Sequence, residues 1–253
     1  MNEQSRPASI DPAEVARFDA LARDWWDPKG RMAPLHRINP VRLAFIREEV
    51  CRHFGRDARA AFPLDGLSVI DIGCGAGLLS EPMARLGGQV TALDPAQANI
   101  AAARHHAGEA GLAIDYREEP VEAVAARGER FDVVLAMEVV EHVTDVGAFV
   151  GACATVVAPG GLLLMATINR TLRAFALAIV GAEYVLRWLP RGTHDWEKFV
   201  TPDELAHAML DGGLVRPRTR GMVFDPLARE WRLARDTAVN YLAVAERLAS
   251  DPS

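Results

Sequence analysis

The residues best suited to chemistry lie in three short stretches. The first is Val69-Ile70-Asp71-Ile72-Gly73-Cys74-Gly75-Ala76-Gly77-Leu78, an apolar run that enters a D-x-G-x-G-x-G turn. It follows a predicted strand and precedes a predicted helix, the context a nucleotide-binding turn requires. Glycines at 73 and 75 allow a sharp turn and close backbone approach to a ligand. Open N–H groups at the helix start favour an anionic group. A dinucleotide fingerprint would need a third glycine where Leu78 stands. Asp71 would repel a pyrophosphate but suits an ammonium group. S-adenosylmethionine carries an ammonium, a carboxylate and a ribose and no phosphate, so it fits this turn better than a nicotinamide dinucleotide; the remaining reading is a structural glycine turn with no ligand. The second stretch is Leu93-Asp94, at the end of the next core strand. A carboxylate there can accept both ribose hydroxyls in either cofactor type.

The third stretch is Met137-Glu138-Val139-Val140-Glu141-His142-Val143. It leaves the fourth strand on the side where open α/β sheets bind ligands. Met137 is placed to pack against an adenosine or a sulfonium. Glu138, Glu141 and His142 converge if this loop begins a helical turn. Two carboxylates and an imidazole can bind a divalent ion, although Mg²⁺ prefers oxygen ligands and water. The other reading gives one acid a capping role and His142 an orienting hydrogen bond. Arg42, soon after Pro40, also has two readings: a clamp on a cofactor carboxylate, or a surface salt bridge of little worth.

Positioning these residues requires a layered α/β domain, and 253 residues suffice for one. The apolar runs LSVIDIG, QVTALD, AIDYRE, FDVVLAM and GLLLMATI alternate with the helical segments LLSEPMARL, AQANIAAARHHAGEA and DVGAFVGACATVV. That rhythm predicts an α/β fold with a Rossmann-like, mostly parallel seven-stranded sheet and helices on both faces. Residues 1–60 read as an N-terminal helical cap, with one helix starting at Asp11 and another opened by Asn39-Pro40 and facing inward through Leu43, Ile46, Val50 and Phe54. WDPKGRMAPLHR between them reads as loop. Residues 61–168 form the cofactor-binding core and 169–200 an insertion. Residues 201–253 hold a helix, TPDELAHAML, and an antiparallel pair, VRPRTRGMVF and EWRLARD, that closes the sheet.

Composition narrows the class further. The formal net charge of -6 argues against a nucleic-acid partner. Cys51, Cys74 and Cys153 form no C-x-x-C pair and are odd in number, which disfavours a disulfide framework and fits a reducing cytoplasm. The N-terminus lacks the apolar stretch of a secretory signal, and no run of about 18 apolar residues exists to span a membrane.

The chain resembles the ubiquinone-biosynthesis O-methyltransferases, which methylate polyprenylated phenols and catechols. The likeness covers nearly the whole chain. It is carried by WWDPKGRMAPLHRINPVRL, the glycine loop, AMEVVEHV, TINRT, VGAEYVLRWLPRGTHDWEKFV and EWRLARDTAVNY. The glycine loop is common to many methyltransferases; PLHRINP and VGAEY…LPRGTHDW are more specific. The resemblance implies cofactor contacts at Arg42, Gly73, Asp94 and Met137, beside Gly75 of the same turn. It also implies, as described for some members, a divalent metal such as Mg²⁺ at Glu138, Glu141 and His142. The loop DPAQANI departs from the usual pattern and leaves the adenine contacts open. The acceptors implied are 2-polyprenyl-6-hydroxyphenol and 3-demethylubiquinol.

A lipid acceptor gives the insertion a role. On one helix through residues 170–189, Arg170, Arg173, Glu183 and Arg187 share an arc of about 140°, and Leu172, Phe175, Ile179, Val185, Leu186 and Leu189 lie elsewhere on the surface. This suits an interfacial helix on anionic lipid, and hence a cytoplasmic protein held peripherally at the inner membrane, with a biosynthetic complex as a further partner. A helix packed on the core or in a dimer is the competing reading. A phenol with pKa near 10 is ionised about one part in a thousand at pH 7, a deficit of roughly 4 kcal/mol. His142 is the candidate base, because imidazole titrates near neutrality. The alternatives are a methyltransferase with another acceptor, a nicotinamide oxidoreductase, and a non-catalytic cofactor-binding component of a complex.

Overall fold

The computed structural model describes residues 25–30, 32–174 and 198–249. The predicted helix from Asp11 and most of the 169–200 insertion lie outside them. The first described helix, α1 (Ala33–His53), is followed by β1 (Ser68–Ile72), α2 (Ser80–Arg85), β2 (Gln89–Leu93), α3 (Gln97–Glu109) and β3 (Asp115–Arg117). Then come α4 (Val121–Ala126), β4 (Phe131–Met137), α5 (Val146–Thr155) and β5 (Val157–Ile168). The chain closes with α6 (Pro202–Asp211), β6 (Val215–Asp225), β7 (Glu230–Ala234) and β8 (Asn240–Glu246).

These strands form one sheet in the order β3-β2-β1-β4-β5-β8-β6-β7. The five strands from β3 to β5 are mutually parallel, and β8, β6 and β7 add on in antiparallel pairs. Central strands are buried along nearly their whole length, as the continuous apolar runs require. Two apolar clusters cover the two faces. One gathers Val69, Val133, Leu135 and Leu164 under α1, α2 and α3; the other gathers Ile70, Val134, Leu163 and Phe149 under α5 and α6.

The sheet has eight strands, one more than predicted. The added strand is β8, within NYLAVAE, which slots between β5 and β6. The predicted antiparallel pair exists as β6 and β7 but lies at the outer edge. The pairing of β5 with β8, from Leu162↔Glu246 to Ile168↔Asn240, is a contact between distant segments that local patterning does not reveal.

The helix predicted to open at Asn39-Pro40 begins earlier, at Ala33, and Pro40 lies inside it. Pro34 takes the first-turn position where a missing N–H costs nothing. Helix α1 continues through Pro40 because Ile38, Val41, Arg42, Phe45 and Ile46 are all buried against the sheet. Asn39 does not cap; its amide donates to the Leu78 carbonyl across the interface at 2.9 Å. Helix α6 carries a capping box, with Thr201 accepting from the Glu204 N–H and Glu204 returning to the Thr201 N–H. Among the described residues no helix is long and apolar enough to cross a membrane.

Candidate functional site

The strand order reverses between β1 and β4, and the crevice beyond their C-terminal ends is where open α/β sheets take ligands. The turn after β1 forms one wall. Gly73 and Gly75 have φ of +71° and +55°, the left-handed region. A Cβ at Gly73 would sit 2.5 Å from Val139, and one at Gly75 would lie 2.3 Å from the Trp25 ring. Both positions therefore need glycine for backbone shape and for space. The Gly73 and Cys74 N–H groups both donate to the Leu93 carbonyl, at 2.8 and 2.9 Å, which stitches the turn to the end of β2.

Asp94 follows directly and is buried. Its Oδ2 accepts the Gly75 N–H at 2.9 Å; its Oδ1 accepts the Ala96 N–H at 2.8 Å and the Asn99 amide at 3.2 Å. Asp71, one strand over, is also buried and accepts the Ser80 hydroxyl at 2.6 Å. Burial pushes the Asp71 carboxyl up to about 6, with the Ser80 hydrogen bond opposing and the nearby Asp94 charge adding to the rise.

The end of β4 forms the other wall. Met137 is buried, and Glu138 turns the chain with φ +57°, a strained value for a residue with a side chain. A short helical turn, Val140–His142, follows as the sequence allowed. Glu141 points inward, buried, and accepts the Thr167 hydroxyl at 2.8 Å. Burial raises its carboxyl first, the neighbouring Glu138 charge raises it further, and His142 partly offsets both. His142 is half-buried.

Arg42 comes to this wall from α1. It is buried and forms an ion pair with Glu138, Nη2 to Oε1, at 2.9 Å. Its Nε and the Glu138 Oε1 are buried without a hydrogen-bond partner. Arg42 is thus no surface cation: it is an enclosed guanidinium paired with Glu138, its Nε unpartnered, and its charge acts on the Asp71 carboxyl. A cation next to two carboxylates, at a glycine turn, is complementary to a zwitterionic amino-acid group, and these residues fit the cofactor expected for the turn. The three residues proposed for a metal do not make a ready site. Glu138 faces Arg42 and Glu141 is held by Thr167, and among the described residues no group of three His, Cys, Asp or Glu could hold a metal ion.

The structure adds residues that sequence reasoning did not assign to the site. Ser80 holds Asp71, Asn99 holds Asp94, Thr167 holds Glu141 and Val139 packs on Gly73. Asn99 carried a faint signal as a polar residue in an alanine-rich helix. Trp25 carried only its place in the WWDPKGRMAPLHRINPVRL stretch of the family resemblance. The three cysteines are free and buried.

A parallel sheet with this turn at its reversal point, and acids where a pyrophosphate would need donors, defines a methyltransferase that uses S-adenosylmethionine. A family model described as a methyltransferase domain matches residues 70–165. The fold is that of magnesium protoporphyrin IX methyltransferase from Synechocystis PCC 6803 solved with bound SAH, at a TM-score of 0.60 and 20% identity over 92% of this chain and 94% of that one. Two ubiquinone biosynthesis O-methyltransferases are far more similar. That of Methylobacterium sp. (strain 4-46) is 62% identical over 96% of this chain and 97% of its own length. That of Bradyrhizobium sp. (strain ORS 278) is 58% identical, covering 98% of both. The chain belongs to the ubiquinone biosynthesis O-methyltransferase family.

Asp71 yields a stability prediction. Its folded value of about 6 lies above the ordinary aspartate value of 3.8, so the unfolded chain loses this proton first. The contribution is therefore full below about pH 4 and is lost as pH rises through about 6, by about 3 kcal/mol at most. Asp71→Asn keeps an acceptor for Ser80 and removes this titration. In urea denaturation of the ligand-free protein, the variant should gain about 1–3 kcal/mol on wild type between pH 4 and pH 7. Parallel pH profiles for the two proteins would refute the assignment.

Proposed function

We propose that this methyltransferase acts on the phenolic oxygens of polyprenylated substrates, 2-polyprenyl-6-hydroxyphenol and 3-demethylubiquinol, and does so at a membrane surface. The observation that carries the acceptor class is the 62% identity to a ubiquinone biosynthesis O-methyltransferase along 96% of the chain. The enclosed Arg42, flanked by Glu138 and close to Asp71 at the glycine turn, supports the matching cofactor geometry.

In this reading Arg42 takes the cofactor carboxylate with its unbonded donor edge, and Asp71 and Glu138 take the ammonium. Gly73 and Gly75 give the turn the left-handed backbone that shapes this wall of the crevice, Asp94 receives the ribose hydroxyls and Met137 packs against the adenosine and sulfonium region. Bound there, S-adenosylmethionine supplies an electrophilic methyl on a good leaving group. The protein must then align the phenol oxygen, exclude water and remove a proton. His142, on the turn after β4, accepts that proton in this scheme and offsets the roughly 4 kcal/mol deficit of a neutral phenol at pH 7. A divalent ion at Glu138, Glu141 and His142 is the alternative way to lower the phenol's pKa, and it would have to draw Glu138 from Arg42 and Glu141 from Thr167.

The membrane reading rests on the acceptor's prenyl tail and on the segment from residue 169 to 200. At its start, Leu172 sits in a helical turn, Leu172–Ala174, and is 82% exposed. Arg170, beside it, pairs with Glu204 at the head of α6, which ties the segment's entrance to the fold. An apolar contact beside cationic residues suits an anionic interface.

Three outcomes follow. With demethylubiquinol as acceptor, His142→Ala should lower kcat at least about a hundredfold while S-adenosylhomocysteine affinity, read by calorimetry, changes little; matched losses in both would reassign His142 to structure. Asp94→Ala should weaken S-adenosylhomocysteine binding about tenfold or more, since it removes charge-assisted bonds; unaltered affinity would end its ribose role. The protein should co-sediment with vesicles containing phosphatidylglycerol, less so at high salt and less so as Leu172→Asp; equal recovery with neutral vesicles at every salt concentration would sink the anionic-surface reading.

A further inference from the structure

The segment ahead of α1 is clamped onto the glycine turn. Trp26 donates its indole N–H to the Ala76 carbonyl at 3.1 Å and stacks on His106 with ring centroids 3.4 Å apart and planes 5° from parallel. His36 hydrogen-bonds the Trp25 carbonyl at 2.8 Å. These contacts hold the Trp25 ring over Gly75, where a Cβ would strike it. Trp25 is itself buried, and its indole N–H donates to Asn99 Oδ1 at 2.9 Å. Asn99, 1% exposed, then uses its amide nitrogen to donate to Asp94 Oδ1.

We propose that Trp25 and Asn99 are positioning residues for the cofactor's ribose, acting through Asp94. The inference rests on the reading that Asp94 receives the ribose hydroxyls. An amide has one acceptor oxygen and one donor nitrogen. Once the indole satisfies the Asn99 oxygen, the nitrogen is directed to the carboxylate. Asp94 is then gripped on Oδ2 by the Gly75 N–H and on Oδ1 by the Ala96 N–H and Asn99. Those grips set the plane of the carboxylate, and a pair of vicinal hydroxyls needs that plane fixed. The Trp25 ring also shields the Gly75 grip from water, which strengthens it. Removing the indole N–H would leave the Asn99 oxygen buried without a donor and free the amide to turn.

The test is calorimetric binding of S-adenosylhomocysteine and of an analogue lacking both ribose hydroxyls. The proteins are wild type, Trp25→Phe, Asn99→Ala, the double variant and Asp94→Ala. Phenylalanine keeps a ring over Gly75 and loses only the donor. Trp25→Phe and Asn99→Ala should each weaken S-adenosylhomocysteine about three- to tenfold, and the double variant no further than Asn99→Ala alone. The penalties should disappear with the hydroxyl-free analogue, and in turnover they should fall on the cofactor's KM rather than on kcat. A merely structural role would weaken both ligands alike. Equal penalties on the two ligands, penalties that multiply in the double variant, or no penalty at all would overturn the proposal. If Asp94→Ala also leaves affinity intact, the ribose reading itself falls; if Asp94→Ala loses affinity while the other variants do not, only the relay falls. Asn99→Ala carries the two-ligand comparison by itself should Trp25→Phe not fold.

Discussion

The end of β2 holds the glycine turn in place, and the site depends on that attachment. Leu93 offers one carbonyl to two successive N–H groups, and Asp94 adds a carboxylate for a third at Gly75. Buried backbone donors must be paired, and a turn of glycines has no side chains to supply partners. The neighbouring strand supplies them. The consequence is directional: the turn is fastened to β2 by hydrogen bonds, while toward β4 it meets the apolar side chain of Val139 on Gly73. Asp94 is the strongest element of this attachment, because hydrogen bonds to a charged acceptor exceed those between neutral groups.

The other half of the site is electrostatic. Asp71, Glu141 and Arg42 are each buried, and Glu138 is nearly so. Enclosed charges are costly, and a pair or an external ligand must offset them. Arg42 and Glu138 offset each other in part; their 2.9 Å contact leaves a donor and an acceptor without hydrogen bonds. Asp71 and Glu141 shift upward because burial outweighs the hydroxyl that each accepts. Clustered charges held at such cost are typical of functional sites. The strained backbone at Glu138 belongs to the same pattern, since it swings that carboxylate to face α1.

Much of the fold was legible because its signals are local. The parallel strands are apolar runs bounded by turns, and α6 announces itself by Thr201, Pro202 and Glu204. The eighth strand was not legible, since its identity as a strand comes from pairing with β5, some eighty residues earlier. The start of α1 was misplaced for a related reason: burial of its inner face carries the helix through Pro40. The insertion, read as an interfacial helix, is described only at its two ends.

By itself, the sequence determined that a ligand-binding turn follows β1, that an acid waits at the end of β2, and which cofactor chemistry the turn prefers. Glycine spacing and the position of Asp71 suffice for that, because backbone freedom and charge are properties of individual residues. Only the tertiary structure decided that Arg42 is enclosed beside Glu138, that Asn99 and Trp25 stand behind Asp94, and that Glu138 and Glu141 face different partners. Each of those facts is a contact between elements far apart in the chain. Such contacts arise from how helices pack on a sheet, and residue type and spacing carry no record of them.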